Sequence, residues 1–284
     1  MTLLDLPTGA SLACTDTGSG RPVVLLHGVC MSQKFFERNI EPLAARHRVI
    51  ALDFRGHGES PSVEGGHTVA QYARDVRAVI EMLDLRDAVL VGWSMGSMVL
   101  WDYLGQFAGD PRLAGAVVVS QGPSDLTQPG WPYGIADLPE LRAYLQLAQD
   151  DFAGFFAGFV PEMFAGELTE TEQAGFVKAI SAVGANAGSV ILVNQTLQDY
   201  RDLIPRLTVP HLLVWGRDEK VGKLAAADWL HRELPRSELH VLEQSGHCPM
   251  WEEPEKFNAL LTDWIARLLG FNGMNTRPKY RRGG

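Results

Sequence analysis

Short, mostly apolar runs recur along the chain at 23–26, 49–52, 88–91, 116–119, 211–215 and 238–242. A strand that is apolar at every residue has both faces covered, so these runs predict a mostly parallel sheet lying between helices. Helical patterns at 69–83, 94–106, 225–234 and 254–269 supply the covering layers. The alternating stretch 11–17 predicts an earlier strand, closed by the turn Gly18-Ser19-Gly20-Arg21-Pro22. A chain of 284 residues, 46% hydrophobic, is long and apolar enough to bury such a core.

One interval breaks the alternation. Between Ser120 and His211 lie about ninety residues without a good strand signal, far more than an ordinary connection. Leu138-Leu141-Leu145-Leu147, Phe152-Phe155-Phe156-Phe159, Phe176-Val177-Ile180 and Ile191-Leu192-Gln195 repeat at helical spacing. They predict a helical cap over the C-terminal edge of the sheet, with 1–120 and 211–270 as the core and 121–210 as the insertion. Most of the phenylalanines are expected to pack the cap. Trp131-Pro132-Tyr133 and Met163-Phe164, near expected loops, are better candidates for lining a pocket.

Where the run 88–91 ends, the chain reads Gly92-Trp93-Ser94-Met95-Gly96 and then turns helical. A strand turning sharply into a helix leaves the serine at its apex strained and exposed, with its hydroxyl available to attack a carbonyl carbon. The two glycines lack a Cβ, which lets strand and helix pass closely beside the turn.

With strand, elbow and helix in that order, the chain resembles the α/β-hydrolase superfamily over roughly 12–269, the cap being its least diagnostic part. Leu25-Leu26-His27-Gly28-Val29 is similar to the family's oxyanion loop, and Asp53-Phe54-Arg55-Gly56-His57-Gly58-Glu59-Ser60 to its D-x-R-G-x-G-x-S turn. Ser245-Gly246-His247 is similar to the loop that delivers the catalytic histidine. The resemblance implies an α/β-hydrolase fold, a mostly parallel sheet flanked by helices with a helical cap. It also implies Ser94 as nucleophile, His247 as base, and the backbone N–H groups of Val29 and Met95 as the oxyanion hole. The acid is where the pattern varies. Counting from Gly216 gives Glu219, where aspartate is commoner; Asp218 is the second choice and Asp125 a distant third. Glutamate places its carboxylate roughly 1.5 Å farther out, one carbon–carbon bond, so the loop must adjust. Cys30 lacks an elbow and is expected to pack or line the pocket.

A serine at the elbow, where haloalkane dehalogenases and epoxide hydrolases carry aspartate, implies an acyl-enzyme. The expected reaction is hydrolysis of a small or medium, mostly apolar carboxylic ester, thioester or lactone, with no cofactor and no metal. A carbon–carbon bond hydrolase is the nearest rival, and a hydrolase-fold receptor with little turnover is the alternative from another class. Perhydrolysis is less favoured, because Val29-Cys30-Met31 lacks a proline.

The formal net charge of −9 gives a nucleic-acid partner no electrostatic support. No run approaches the roughly 20 apolar residues of a membrane span. The start lacks signal-peptide regions, and three cysteines at no ligand spacing suit a reducing interior. A cytoplasmic protein acting on a small molecule is expected, its oligomeric state open. The basic stretch 271–284 is expected to be a flexible tail.

Overall fold

The apolar runs form six neighbouring strands of one eight-stranded sheet in a computed structural model that describes residues 1–268. Its strands are β1 (Thr2–Asp5), β2 (Ser11–Gly18), β3 (Pro22–Leu26), β4 (Arg48–Leu52), β5 (Ala88–Trp93), β6 (Leu113–Val119), β7 (His211–Gly216) and β8 (Ser237–Leu242). They lie in the order β1-β2-β4-β3-β5-β6-β7-β8. β1 pairs antiparallel with β2, and β2 with β4; every other pairing is parallel. Every residue of β3, β5 and β7 is buried, as continuous apolar runs require. Each fully buried Val or Leu there contributes roughly 1.5–3 kcal/mol relative to exposure. β1 has no counterpart in the sequence reading: its four residues are largely exposed, and only their pairing with β2 makes them a strand.

The covering helices are α1 (Glu37–Ala44), α2 (Val69–Met82), α3 (Met95–Gln106), α8 (Leu224–Glu233), α9 (Pro249–Glu252) and α10 (Pro254–Leu268). The long interval between β6 and β7 contains α4 (Leu138–Asp150), α5 (Phe152–Glu162), α6 (Glu170–Ser181) and α7 (Ala185–Thr196). Local chemistry sets their starts. Asp137 with Glu140 and Thr169 with Glu172 form capping boxes, and Asp151 accepts from Gly154 N at 2.9 Å. No single helix among the described residues is long and apolar enough to cross a membrane. The basic stretch from 271 onward lies outside the described residues.

Aromatic rings join this insertion to the sheet. Phe35 stacks on Trp93 at 4.8 Å between centroids and on Phe176 of α6 at 4.2 Å. Phe176 in turn stacks on Phe164 at 5.8 Å. Phe152, Phe155, Phe156 and Phe159 pack mainly against one another, so that stripe serves helix packing. Trp131 meets Trp229 edge-on and donates from its indole to Ser124 O at 2.9 Å.

The chain passes from β3 outward to β4, then returns to place β5 on the other flank of β3. Ligands bind at such switch points, outside the C-terminal ends of the strands. The segments after β3, β5, β7 and β8 all emerge there, and they carry Val29, Ser94, Glu219 and His247.

Candidate active site

Ser94 is the hinge between β5 and α3, with φ 52° and ψ −127°. A non-glycine residue in this region is strained by about 1–3 kcal/mol and persists only where its surroundings fix it. They do so here by close approach. A Cβ on Gly96 would stand 2.1 Å from Leu26 O, and one on Gly92 would stand 2.4 Å from Gly96 O. The Ser94 N–H donates to Val119 O at 3.0 Å, and the Ser97 hydroxyl to Gly92 O at 2.7 Å.

The same approach sets the loop after β3. A Cβ on Gly28 would lie 3.2 Å from the Ser94 Cβ, so the bare backbone of Gly28-Val29 runs beside the serine. Met95 is the first residue of α3, where an N–H has no acceptor within the helix and the helix dipole favours negative charge. His27 braces this loop: its Nδ1 donates to Gly28 O at 2.8 Å and its Nε2 accepts from Phe54 N at 3.0 Å. Burial lowers the His27 pKa to about 4, so the ring is neutral and free to accept.

Glu219 follows β7 and meets His247, which follows β8. Its Oε1 and Oε2 lie 3.1 and 3.0 Å from His247 Nδ1. Oε1 also accepts from Val221 N at 2.9 Å and Gly222 N at 3.1 Å. Burial pushes the carboxyl up, but the imidazole of His247 and these hydrogen bonds outweigh it and hold Glu219 below its ordinary value. Both side chains are almost wholly buried, 1% exposed for Glu219 and 2% for His247. Glu219 occupies Nδ1, which leaves Nε2 as the ring nitrogen not engaged by the carboxylate. Asp218, by contrast, is exposed, and its backbone N–H donates to Ser245 O at 3.0 Å.

Several residues that position the histidine carry no local sequence signal. Trp93 Nε1 donates to His247 O at 2.8 Å, and His247 N donates to Met163 O at 2.8 Å. Glu252 Oε2 accepts from Gly246 N at 2.7 Å while its Oε1 accepts from Ala165 N at 2.6 Å. Glu253 accepts from Gln244 N at 2.8 Å and from the Ser245 hydroxyl at 2.7 Å. Two adjacent acids thus hold the loop 244–246, and one of them ties it to the segment after α5. Burial pushes the Glu252 carboxyl above its ordinary value despite those donors.

Residues 23–260 match the model of the alpha/beta hydrolase family, most of the chain. The chain belongs to the alpha/beta hydrolase family. A non-heme chloroperoxidase from Kitasatospora aureofaciens is 30% identical over 269 residues, covering 90% of this chain and 96% of its own. A 2-hydroxy-6-oxononadienedioate/2-hydroxy-6-oxononatrienedioate hydrolase from Cupriavidus pinatubonensis is 27% identical, covering 93% and 94%. Among solved structures, an esterase from Exiguobacterium antarcticum superposes with a TM-score of 0.88 at 28% identity, covering 93% of this chain and 99% of its own.

Five further residues of this hydrolase, two histidines, two cysteines and an aspartate, bear on the assignment of roles. Burial holds His57 at about 3 and His211 at about 4, so both are neutral rings inside the fold. Burial likewise raises the Cys30 and Cys248 thiols well above their ordinary value, which removes thiolate character from both. Asp125 is fully enclosed after β6. Burial pushes its carboxyl up to about 6, against the amides of Gln195 and Gln121 and the charge of His247. Its oxygens bond those two glutamines, whereas His247 Nδ1 is taken by Glu219.

Proposed function

We propose that this hydrolase cleaves a carboxylic ester, thioester or lactone through an acyl-enzyme on Ser94. The observation that carries the reading is the buried Glu219–His247 pair at the sheet edge where the strained Ser94 sits. His247 Nε2 takes the Ser94 proton as Oγ bonds to the carbonyl carbon, and Glu219 stabilises the imidazolium that results. The carbonyl oxygen becomes an oxyanion facing the N–H groups of Val29 and Met95, a donor of this kind being worth about 3–4 kcal/mol. The imidazolium then protonates the leaving oxygen or sulfur as its bond to the acyl carbon breaks. Water repeats the cycle on the acyl-enzyme, which releases the acid and restores Ser94. The cap, 121–210 in this reading, covers the acyl group of a small-molecule substrate.

Intact mass after incubation with a fluorophosphonate tests the nucleophile, followed by turnover of short-chain p-nitrophenyl esters. The protein should gain one phosphonyl group and release nitrophenol steadily. Ser94→Ala should lose both while its melting transition persists. Undiminished turnover in Ser94→Ala would overturn the assignment.

A further inference from the structure

A second strained residue lies beside the nucleophile. Val119 ends β6 and accepts from Ser94 N, and the next residue, Ser120, donates its own N–H to Val214 O of β7 at 3.0 Å. Ser120 therefore sits at the same edge, between the serine strand and the strand that leads to Glu219. Its φ is 50°, close to the 52° of Ser94. Strain of this kind gathers at functional sites.

Around Ser120 the chain places a buried polar cluster. Gln121 Nε2 donates to Asp125 Oδ1 at 2.6 Å and to Gly122 O at 3.0 Å. Gln195 Nε2, from α7 in the insertion, donates to Asp125 Oδ2 at 2.7 Å. Each carboxylate oxygen thus holds one amide, and neither amide can flip without setting its oxygen against the carboxylate. Both amide carbonyls are left as fixed acceptors. Gln121 Oε1, Gln195 Oε1, Ser120 Oγ and Ser124 Oγ are all buried with no hydrogen-bond partner among the described residues. The five residues of the cluster are between 1% and 4% exposed.

Buried polar atoms are nearly always partnered, so four orphaned oxygens in one small region call for a donor from outside the chain. A clasp joining insertion to core would need only the two Asp125 bonds, and it gives no partner to the two amide oxygens or to the hydroxyls of Ser120 and Ser124. The chemistry of the orphans identifies the ligand: two fixed amide carbonyls and two hydroxyls beside a carboxylate attract donors and repel anions. We infer that Ser120, Gln121, Ser124, Asp125 and Gln195 form a subsite next to Ser94 for a neutral hydrogen-bond donor on the substrate, a hydroxyl or an amide N–H. This rests on the ester-cleaving reading and deepens it: the preferred ester or lactone carries such a donor and is not purely apolar.

The test compares kcat/KM for ethyl lactate with that for its O-methyl ether, which keeps the inductive effect and removes the donor. Ethyl N-acetylglycinate and its N-methyl derivative form a second pair. Wild type should favour the donor-bearing ester of at least one pair by tenfold or more, and Gln195→Leu or Gln121→Leu should bring that ratio below threefold. Equal rates within both pairs in wild type would overturn the subsite while leaving Ser94 chemistry standing. So would a preference that survives in both variants. The same pairs are added to Ser94→Ala and its melting temperature read, which reports the subsite without turnover. A larger rise with the donor-bearing ester supports it, and equal rises for both members of each pair refute it, whatever the phosphonate labelling shows.

Discussion

Replacing Glu219 by glutamine isolates what its charge does, because the structure dictates how the amide would sit. Oε1 already accepts from Val221 N and Gly222 N, so the glutamine oxygen stays there and its NH2 turns toward His247 Nδ1. Nδ1 must then accept, which moves the ring proton to Nε2 and leaves no base for Ser94. The lost electrostatic term is also large. A carboxylate and an imidazolium with O and N 3.0 Å apart interact by about 5 kcal/mol at an effective dielectric of about 20. At about 1.4 kcal/mol per factor of ten, kcat should fall by roughly three to four powers of ten. KM should stay within roughly threefold, since the pair acts on the transition state. Asp218→Asn, at an exposed position, should leave kcat within roughly threefold. Steady-state turnover of a p-nitrophenyl ester reads both, with phosphonate labelling rates as an independent measure of serine reactivity. A fall of less than tenfold in Glu219→Gln, or an equal fall in Asp218→Asn, would refute the reasoning.

Gly96→Ala should destabilise the fold by about 2 kcal/mol or more, because its Cβ would stand 2.1 Å from Leu26 O. A urea midpoint equal to wild type would contradict that packing. Glu252→Gln should lower kcat tenfold or more and stability by about 1–2 kcal/mol, since one end of the amide must set N–H against N–H. An unchanged kcat would mean that the histidine loop does not depend on this carboxylate. The Asp125 carboxyl is raised by burial from 3.8 to about 6, so the folded state binds its proton more tightly than the unfolded chain. Its contribution is fully present below the unfolded value and is lost as pH rises through about 6, a change on the order of 3 kcal/mol. Urea midpoints at pH 4 and pH 7 should therefore differ by less in Asp125→Asn than in wild type, and an identical difference would show that Asp125 does not titrate in this range.

The sheet's parallel centre was legible in the sequence because each strand there is buried on both faces, so its own residues declare it. β1 was not, since Thr2–Asp5 becomes a strand only through its partner β2. The elbow was legible because strand, glycines and helix adjoin within a few residues. Glu219 could be reached by counting from Gly216, and that glycine is fixed by its neighbours: a Cβ there would stand 2.0 Å from Gly246 O. Residues that act across the fold left no such trace. Glu252 reaches Ala165 across 87 positions, and Gln195 reaches Asp125 across 70. The sequence offers Asp125 only as a distant choice of acid, because nothing nearby in the chain announces that two glutamines will hold it.

The segment leaving α5 presses directly on the loop of His247, the proposed base, with Met163 O on His247 N and Glu252 bridging Gly246 to Ala165. An engineer who exchanges this insertion for that of a relative, to change what the enzyme accepts, also exchanges part of the base's mounting. Grafts that keep 163–166 together with Glu252 should inherit an aligned histidine along with a new pocket. Grafts cut inside that stretch should yield a well-folded enzyme with a misplaced base. If the insertion sets selectivity as proposed, selectivity and rate are mechanically joined here, and mutations that diversify one should drift the other.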